Sequence, residues 1–368
     1  MIILFVTKDR GGFQVTEPIA EVALHRGHEV MIATEGFSIP EWKKTRYNLV
    51  FVGTKNFEEE PFAFNAHELL QSHRPDLVVS TYGQTPNIER QTVEAAKNLG
   101  MPCVGIEDGW GGSRRINPDL FSLILAQEFG KSVIEELCPG IKTPIVETGS
   151  PFVSSMMKNP VPDESVRAFN AVAQGRKTML VAGNDWDTQY FLHWALAAVA
   201  RSGGPGKILP IVRMHPRTDG TEKDKECWML QQKLFTALYG DNSIVTLADL
   251  DTVHIARLAD ITVSNYGTLF LASSVERKIP VRVASPVCDA EMLRVSKIPF
   301  YPLIRVGTKE IGAVLEFDWE HPTNLWRDVF PKRDRVIRAQ EENVKFSPTA
   351  AEDAMNEIEK LMGEKQKK

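Results

Sequence analysis

The chain has 368 residues, of which 43% are hydrophobic and 25% charged, and its formal net charge at pH 7 is −5. This length suits two domains of ordinary size better than a single core. The acidic balance argues against broad electrostatic binding to nucleic acid, which requires a basic surface, and no apolar run approaches the roughly 20 residues of a membrane-spanning helix.

The first half of the chain alternates short β-branched runs with amphipathic stretches. Predicted strands cover residues 2–7, 29–33, 48–52, 76–80, 102–106, 121–126 and 144–148, and predicted helices include 15–26, 87–99 and 130–137. Apolar strands separated by helices predict a parallel sheet that is covered on both faces. Because the first strand has no positive charge ahead of its apolar run, a signal peptide is not expected.

The second half repeats this alternation after Ser-Pro, Asn-Pro and Val-Pro steps within 150–162, which indicate a linker. Predicted strands cover 177–182, 208–214, 243–246, 261–264 and 280–283, and predicted helices cover 187–201, 222–239, 252–258 and 268–277. We therefore predict an α/β chain of two Rossmann-like doubly wound domains with a cleft between them. Its parts are an N-terminal Rossmann-like domain (1–150), a linker (151–174), a C-terminal Rossmann-like domain (175–330) and a helical tail (331–368).

The sequence does not indicate metal or disulfide chemistry. The four cysteines form no CxxC pair, which favours reduced thiols in a cytoplasmic protein. Asp249 and Asp251 have the spacing of an Asp-x-Asp metal motif, but their place between a predicted strand and a predicted helix favours helix capping. We expect no metal site and a cytoplasmic location, and peripheral contact with the inner face of a membrane stays open.

Two motifs of the first half place chemistry at strand ends. Gly11 and Gly12 follow the first strand, where paired glycines let a ligand approach the backbone, although a plain turn has the same pattern. Glu107 and Asp108 follow a buried strand, and a partly desolvated carboxylate there suits a general base. We predict Glu107 and Asp108 as catalytic, and Gly11, Gly12 and Arg114 as part of a cleft loop. The structural alternative is that Asp108 caps its loop and pairs with Arg114.

Two predicted strands of the second half end next to residues that can bind a phosphate. Gly183 and Asn184 follow the strand 177–182, where backbone N–H groups can face a phosphate or Asn184 can simply cap a helix. Arg213 and His215 lie at the end of the strand 208–214, and the proline after His215 fixes the turn. Because arginine makes bidentate contacts to phosphate oxygens, we predict both side chains in nucleotide binding, with His215 also catalytic.

The strongest motif is a short strand that ends in a helix start. Ser264 closes the strand, and Tyr266, Gly267 and Thr268 form the turn into the next helix. A helix start offers unpaired N–H groups and a favourable dipole to a diphosphate. The alternative is an ordinary helix start capped by a hydroxyl.

These motifs, in their order, resemble the GT-B glycosyltransferases and the UDP-N-acetylglucosamine 2-epimerases. Residues 11–30, with a Gly-Gly pair, PIAE and RGHEV, look like the opening of GT-B enzymes that handle nucleotide sugars. The resemblance implies an acceptor-side N-terminal domain (1–150), in which the loop of Gly11, Gly12 and Arg114 faces the acceptor, and a nucleotide-donor C-terminal domain (175–330). Residues 106–109, IEDG, are similar to the VEAG loop of the 2-epimerases. The His-Pro step at 215–216 and the turn NYGT at 265–268 are similar to motifs of CDP-glycerol glycerophosphotransferases and capsule-polymer transferases.

Two positions depart from the family pattern. Asp108 stands where the 2-epimerases have alanine. Ser273 stands where many GT-B enzymes have a glutamate that binds the ribose, and Glu276 follows one turn later. Recognition of the ribose, and with it the identity of the base, is therefore not implied by the resemblance.

The resemblance implies a metal-independent glycosyltransferase that acts in cell-surface polysaccharide synthesis, with a nucleotide sugar as donor substrate and no tightly bound cofactor. Arg213, His215 and the turn 266–268 would neutralise the departing diphosphate, while Glu107 or Asp108 takes the proton of an unknown acceptor. The open alternatives are a 2-epimerase, a CDP-glycerol or capsule-type transferase, and a GT-B-like nucleotide-binding subunit without activity. We expect no nucleic-acid partner, and a monomer or a homodimer.

Overall fold

The computed structural model describes residues 1–53, 64–82, 87–110, 112, 116–183, 188–214, 222–265, 267–296, 298, 301–321 and 323–365. The chain forms two compact units. Unit 1 comprises Met1–Lys158, Ser296–Ile298 and Phe346–Lys368, and unit 2 comprises Asn159–Val295 and Pro299–Lys345.

The described residues of unit 1 form a parallel sheet of seven strands. The strands are β1 (Ile2–Thr7), β2 (Glu29–Thr34), β3 (Asn48–Val52), β4 (Leu77–Ser80), β5 (Cys103–Ile106), β6 (Leu123–Ala126) and β7 (Ile145–Glu147), and the helices are α1 (Arg10–His25), α2 (Ile39–Trp42), α3 (Ala66–His73), α4 (Ile88–Asn98), α5 (Gly130–Leu137) and α6 (Pro151–Lys158). Their spatial order is β3-β2-β1-β4-β5-β6-β7, and every pairing is parallel. The strand order therefore reverses between β1 and β4.

Unit 2 repeats this architecture. Its strands are β8 (Lys177–Ala182), β9 (Ile208–Arg213), β10 (Ile261–Ser264), β11 (Ile279–Ala284), the short pair β12 (Arg305–Val306) and β13 (Lys309–Glu310), and β14 (Leu315–Asp318). Its helices are α7 (Asp163–Ala173), α8 (Thr188–Arg201), α9 (Glu222–Tyr239), α10 (Thr252–Leu258), α11 (Leu269–Val275), α12 (Pro286–Ser296), α13 (Leu325–Asp328) and α14 (Arg333–Ala339). The main sheet is parallel in the order β14-β11-β10-β8-β9, which reverses between β8 and β10.

The predicted α/β class with two Rossmann-like sheets is confirmed. Residues 3–7 of β1 are all buried, as are residues 178–182 of β8, because helices cover both faces of each sheet. A strand predicted at 243–246 is wrong: within the described residues this segment contributes one bridge, between Val245 and Ile211, after a short 3-10 turn. Among the described helices, none has the length and apolar character to span a bilayer.

Helix α1 begins earlier than the sequence predicts. It starts at Arg10 rather than at residue 15, so Gly11 and Gly12 lie in its first turn and the predicted glycine loop is wrong. Glycine has a low intrinsic preference for helices, which favours a loop at the sequence level. In the fold, however, a Cβ on Gly12 would lie 2.7 Å from Thr81 Oγ1 and 3.6 Å from Thr7 Cβ. The glycine therefore serves close packing of the helix on the sheet.

The predicted linker and the predicted tail are largely helical. Residues 151–174, predicted as a linker, contain α6 of unit 1 and α7 of unit 2. In the predicted tail, α14 and a π-helical turn (Gln340–Val344) belong to unit 2, and Lys345 has a left-handed φ of 51°. The last helix, α15 (Ala350–Lys365), belongs to unit 1, where it packs on α1 and α6.

Candidate functional site

Parallel sheets bind ligands at the carboxyl ends of their strands, at the point where the strand order reverses. In unit 2 this point lies between β8 and β10, and in unit 1 between β1 and β4. The motifs predicted from the sequence follow these strands or their neighbours. Each unit therefore has one such edge, where a ligand is expected to bind.

In unit 2, three predicted residues meet at this edge. Gly183 follows β8 and donates its N–H to the Arg213 carbonyl at 2.8 Å. Ser264 ends β10, and its hydroxyl donates to the Ala182 carbonyl at 3.0 Å. The ends of β8, β9 and β10 are thus joined directly, and Gly183, Arg213 and Ser264 lie side by side.

The turn after β10 has a backbone that favours glycine. Gly267 has a φ of 136°, which L-residues rarely adopt, and Thr268 immediately precedes α11. The Tyr301 hydroxyl donates to the Gly267 carbonyl at 3.2 Å. Within the described part of the chain, the Thr268 side chain caps no N–H group of α11. The alternative of a hydroxyl-capped helix start therefore finds no support in the geometry.

Arg213 has a structural function at this edge. Its Nη1 donates to the carbonyl oxygens of Leu247 at 2.5 Å and of Leu250 at 2.9 Å. These bonds hold the segment between β9 and α10 against the strand end. Asp251, in the same region, caps α10 as predicted, with its carboxylate accepting the Val253 N–H at 2.7 Å. Phosphate binding by Arg213 stays a prediction.

Several predicted site residues lie outside the described residues. They are Asn184, His215, Tyr266 and Arg114. Their predicted functions therefore rest on the sequence. Within the described ranges, no group of three or more His, Cys, Asp or Glu side chains is placed to hold a metal ion.

In unit 1, the two adjacent carboxylates after β5 have different surroundings. Glu107 is only 1% exposed, and its Oε2 would lie 2.2 Å from a Cβ on Gly130. Burial first, and then the charge of Glu107, raises the pKa of Tyr82 well above its ordinary value. Asp108 is half-buried, and its Oδ2 would lie 3.7 Å from a Cβ on Gly11. Asp108 is therefore the carboxylate next to the start of α1, whereas Glu107 lies deeper.

Replacing Gly130 with alanine tests this placement of Glu107. The added Cβ would overlap Glu107 Oε2 and lie 2.9 Å from Ala126 Cβ. We expect the free energy of unfolding to fall by about 1–3 kcal/mol, as for other overpacked cores, measured by urea denaturation. Gly206→Ala is the control, because no heavy atom lies within 4 Å of its added Cβ. Equal stability of the two variants would contradict the placement.

A third carboxylate of unit 1 was missed at the sequence level. Glu89, the second residue of α4, is fully buried, and its Oε1 accepts from Thr81 Oγ1 at 2.5 Å and from Lys8 N at 3.0 Å. Burial, with smaller contributions from Asp9 and Asp108, raises its pKa to about 8. A glutamate in the first turn of a helix is ordinarily a surface residue that complements the dipole. No signal in the sequence distinguishes Glu89 from that case.

Glu128 is a second buried carboxyl group of unit 1 with a raised pKa. Its Oε1 accepts the Ser150 N–H at 3.3 Å, and burial raises its pKa to about 7. At pH values between 4.5, the ordinary pKa of this carboxyl group, and about 7, Glu128 holds a proton in the folded protein that it releases in the unfolded chain. The stability that depends on this proton is therefore complete below about 4.5 and is lost as the pH rises to about 7.

We expect Glu128→Gln to weaken the pH dependence of stability. The urea midpoint of the variant should fall less between pH 5 and pH 8 than that of the unaltered protein, because glutamine does not titrate. Glu136→Gln, on the exposed side of α5, is the matched control and should keep the original dependence. The same dependence in both variants would show that Glu128 does not titrate as described.

Comparison with known proteins gives matches at the level of structure. No protein-family model and no curated protein sequence matches the chain. A UDP co-structure of S. aureus MnaA matches with a TM-score of 0.68 and 12% identity, over 98% of this chain and 97% of the other. UDP-GlcNAc 2-epimerase from Neisseria meningitidis, bound to UDP-GlcNAc, matches at 0.66 and 12%, over 98% and 100%. A glycosyltransferase from Rickettsia africae matches at 0.62 and 13%, over 99% and 98%.

The chain has the fold of these proteins. Because the sequence identity is low, the similarity shows the GT-B-type fold of two Rossmann-like domains. It does not distinguish an epimerase from a transferase. The similarity of the second-half motifs to CDP-glycerol transferases stays a prediction.

The departure at the ribose position is visible within this fold. Ser273 is fully buried in α11. Glu276, one turn later, accepts from Arg257 Nε at 2.8 Å, and Arg257 also binds the Asn159 carbonyl at 2.8 Å. Glu276 is thus engaged in an ion pair at the end of α11. Ser273 has no carboxylate and that of Glu276 is paired with Arg257, so recognition of a ribose stays open.

Proposed function

We propose that this chain is an enzyme that binds a nucleotide sugar in unit 2, at the carboxyl ends of the strands where the order reverses between β8 and β10. We call this place the switch-point edge. The observation that carries the proposal is the assembly of Gly183, Ser264 and the Gly267–Thr268 turn at the point where the strand order reverses. Parallel sheets bind nucleotides at this place. Proteins of the same fold whose structures contain UDP or UDP-GlcNAc support the choice of ligand.

For the reaction, we propose metal-independent transfer of the sugar to an acceptor. Thr268 and His215, whose function is predicted from the sequence, bind the diphosphate and stabilise its negative charge as it leaves. Asp108, half-buried beside the first turn of α1, takes the proton of the acceptor hydroxyl. The more exposed position of Asp108 favours it over Glu107 for contact with an acceptor.

The second candidate reaction is epimerisation at C2 of the sugar. It is favoured by the fold similarity to proteins described as UDP-GlcNAc 2-epimerases. This reaction needs no acceptor. Glu107, which matches the glutamate of the VEAG motif, is then the candidate acid or base, and its deep burial suits a group that exchanges protons away from bulk water.

A ligand panel followed by one reaction separates these functions. UDP-, GDP-, CDP- and CMP-linked sugars are first ranked by the rise in melting temperature, because a ligand that binds the folded state stabilises it. The ranked donor is then incubated with EDTA and without acceptor, and the sugar is followed by proton NMR. Inversion at C2 would identify an epimerase. A donor that stays unchanged without acceptor, and is consumed once an acceptor is added, would identify a transferase. Absence of binding by every donor would contradict the proposal.

A further inference from the structure

The fully buried Glu89 bridges the two strands between which the sheet of unit 1 reverses its order. Its carboxyl group accepts the N–H of Lys8, which follows β1, and the hydroxyl of Thr81, which follows β4. Asn87 Nδ2 lies 3.4 Å from its other oxygen. The carboxyl group therefore fixes both strand ends at the place where this class of sheet binds ligands.

A short path of contacts leads from Glu89 to Asp108. Thr81 Oγ1, held by Glu89 at 2.5 Å, lies 2.7 Å from the position of a Cβ on Gly12. The adjacent Gly11 would bring its Cβ to 3.7 Å from Asp108 Oδ2. Thr81 therefore lies close to the first turn of α1 at Gly12, and the adjacent Gly11 lies close to Asp108.

Burial is the main reason why Glu89 is protonated at neutral pH. Burial raises its pKa to about 8, the hydrogen bond from Thr81 lowers it, and the negative charges of Asp9 and Asp108 raise it further. The ammonium group of Lys8 lies 3.7 Å from Glu35.

Other charges near this edge are paired with one another. Glu35 also accepts the Ile88 N–H at 3.1 Å, at the start of α4. Arg10, at the start of α1, lies 3.7 Å from Glu41, and Arg90 on α4 binds Glu94 at 2.7 Å. Glu89 is thus a neutral group at neutral pH whose pKa is raised in part by the charge of Asp108. Its ionisation would bring a second negative charge to this edge and make Asp108 harder to ionise.

We propose that Glu89 is a positioning residue for Asp108: it holds Thr81 and the first turn of α1 in place and, while neutral, adds no second negative charge near Asp108. The inference rests on the proposed function only for the use of Asp108 as a base. The coupling between the two carboxyl groups is a property of unit 1 and can be measured without substrate.

The test is a titration of the protein carrying carbon-13 at the aspartate carboxyl groups. The Asp108 resonance is identified by its loss in Asp108→Asn and followed from pH 4 to pH 10. In the unaltered protein we expect a step in its chemical shift near pH 8, where Glu89 titrates. Glu89→Gln keeps an oxygen that accepts both hydrogen bonds and has no charge, so the variant should fold and the step should vanish. Glu94→Gln, on the exposed side of the same helix, should keep it.

A second variant tests the contact path. Thr81→Val removes the hydroxyl that stabilises the ionised form of Glu89, so the step should move to higher pH. A step that persists in Glu89→Gln, that is absent from the unaltered protein, or that does not move in Thr81→Val would overturn the proposal. If the step behaves as expected while no nucleotide sugar binds, the coupling stands and the proposed function fails.

Discussion

Replacing Ile358 with alanine is expected to lower the free energy of unfolding by about 2–5 kcal/mol, which is typical for deletion of a large apolar core side chain. Ile358 lies on α15 and is fully buried, together with Ala354 and Met355. This helix comes from the end of the chain, after residues that belong to unit 2, and it completes the core of unit 1. The urea midpoint of the variant measures the loss.

Asn356→Ala is the matched control, because Asn356 is exposed on the same helix and its replacement should have little effect. The polar contacts of α15 should contribute less than Ile358. Arg26 binds Glu359 at 2.7 Å and His28 binds it at 2.8 Å, but all three side chains are partly exposed to solvent. If Ile358→Ala were as stable as the control, α15 would not be part of the core of unit 1.

Replacing Thr268 or His215 with alanine is expected to weaken binding of UDP by about 10- to 100-fold for each variant, because a hydrogen bond to a charged group contributes about 1.5–3 kcal/mol. Thr268 precedes α11, and we propose that its hydroxyl and N–H group bind a phosphate oxygen. Titration calorimetry measures both the affinity and the number of sites.

Two controls make this result specific. Thr236→Ala, on α9, removes the same hydroxyl at a distance from the strand ends and should leave the affinity unchanged. Thr268→Ser keeps the hydroxyl and should retain most of the affinity. Unchanged affinity in both Thr268→Ala and His215→Ala would rule out the proposed phosphate site.

The strands of both sheets could be predicted from the sequence because their apolar runs are local signals. β1, β8 and β10 have the predicted bounds. A strand buried on both faces must be apolar along its whole length, and the flanking helices have a different period. The parallel arrangement then follows from the regular alternation of strands and helices.

Features that depend on contacts between distant segments were not predictable in this way. The start of α1 at Arg10 depends on the packing of Gly12 against Thr81, which is 69 residues later in the chain. The return of α15 to unit 1 depends on contacts with α1 and α6. In both cases tertiary packing decides what local preference leaves open.

The candidate site shows the same division. The positions of Gly183, Ser264, Gly267 and Thr268 at strand ends and at a helix start could be predicted because they form a local pattern, whereas their binding function stays a prediction. The engagement of Arg213 with Leu247 and Leu250, and the burial of Glu89, depend on the fold. A charged side chain can be identified in a sequence, but its partners and its pKa are set by the segments that pack around it.

Nucleotide binding at the switch-point edge of unit 2 is tested most directly by amide hydrogen exchange with and without saturating UDP. We expect slower exchange in peptides that contain Gly183 and residues 264–270, and unchanged exchange along α9. Saturating UDP that leaves the exchange of both segments unchanged would contradict the claim.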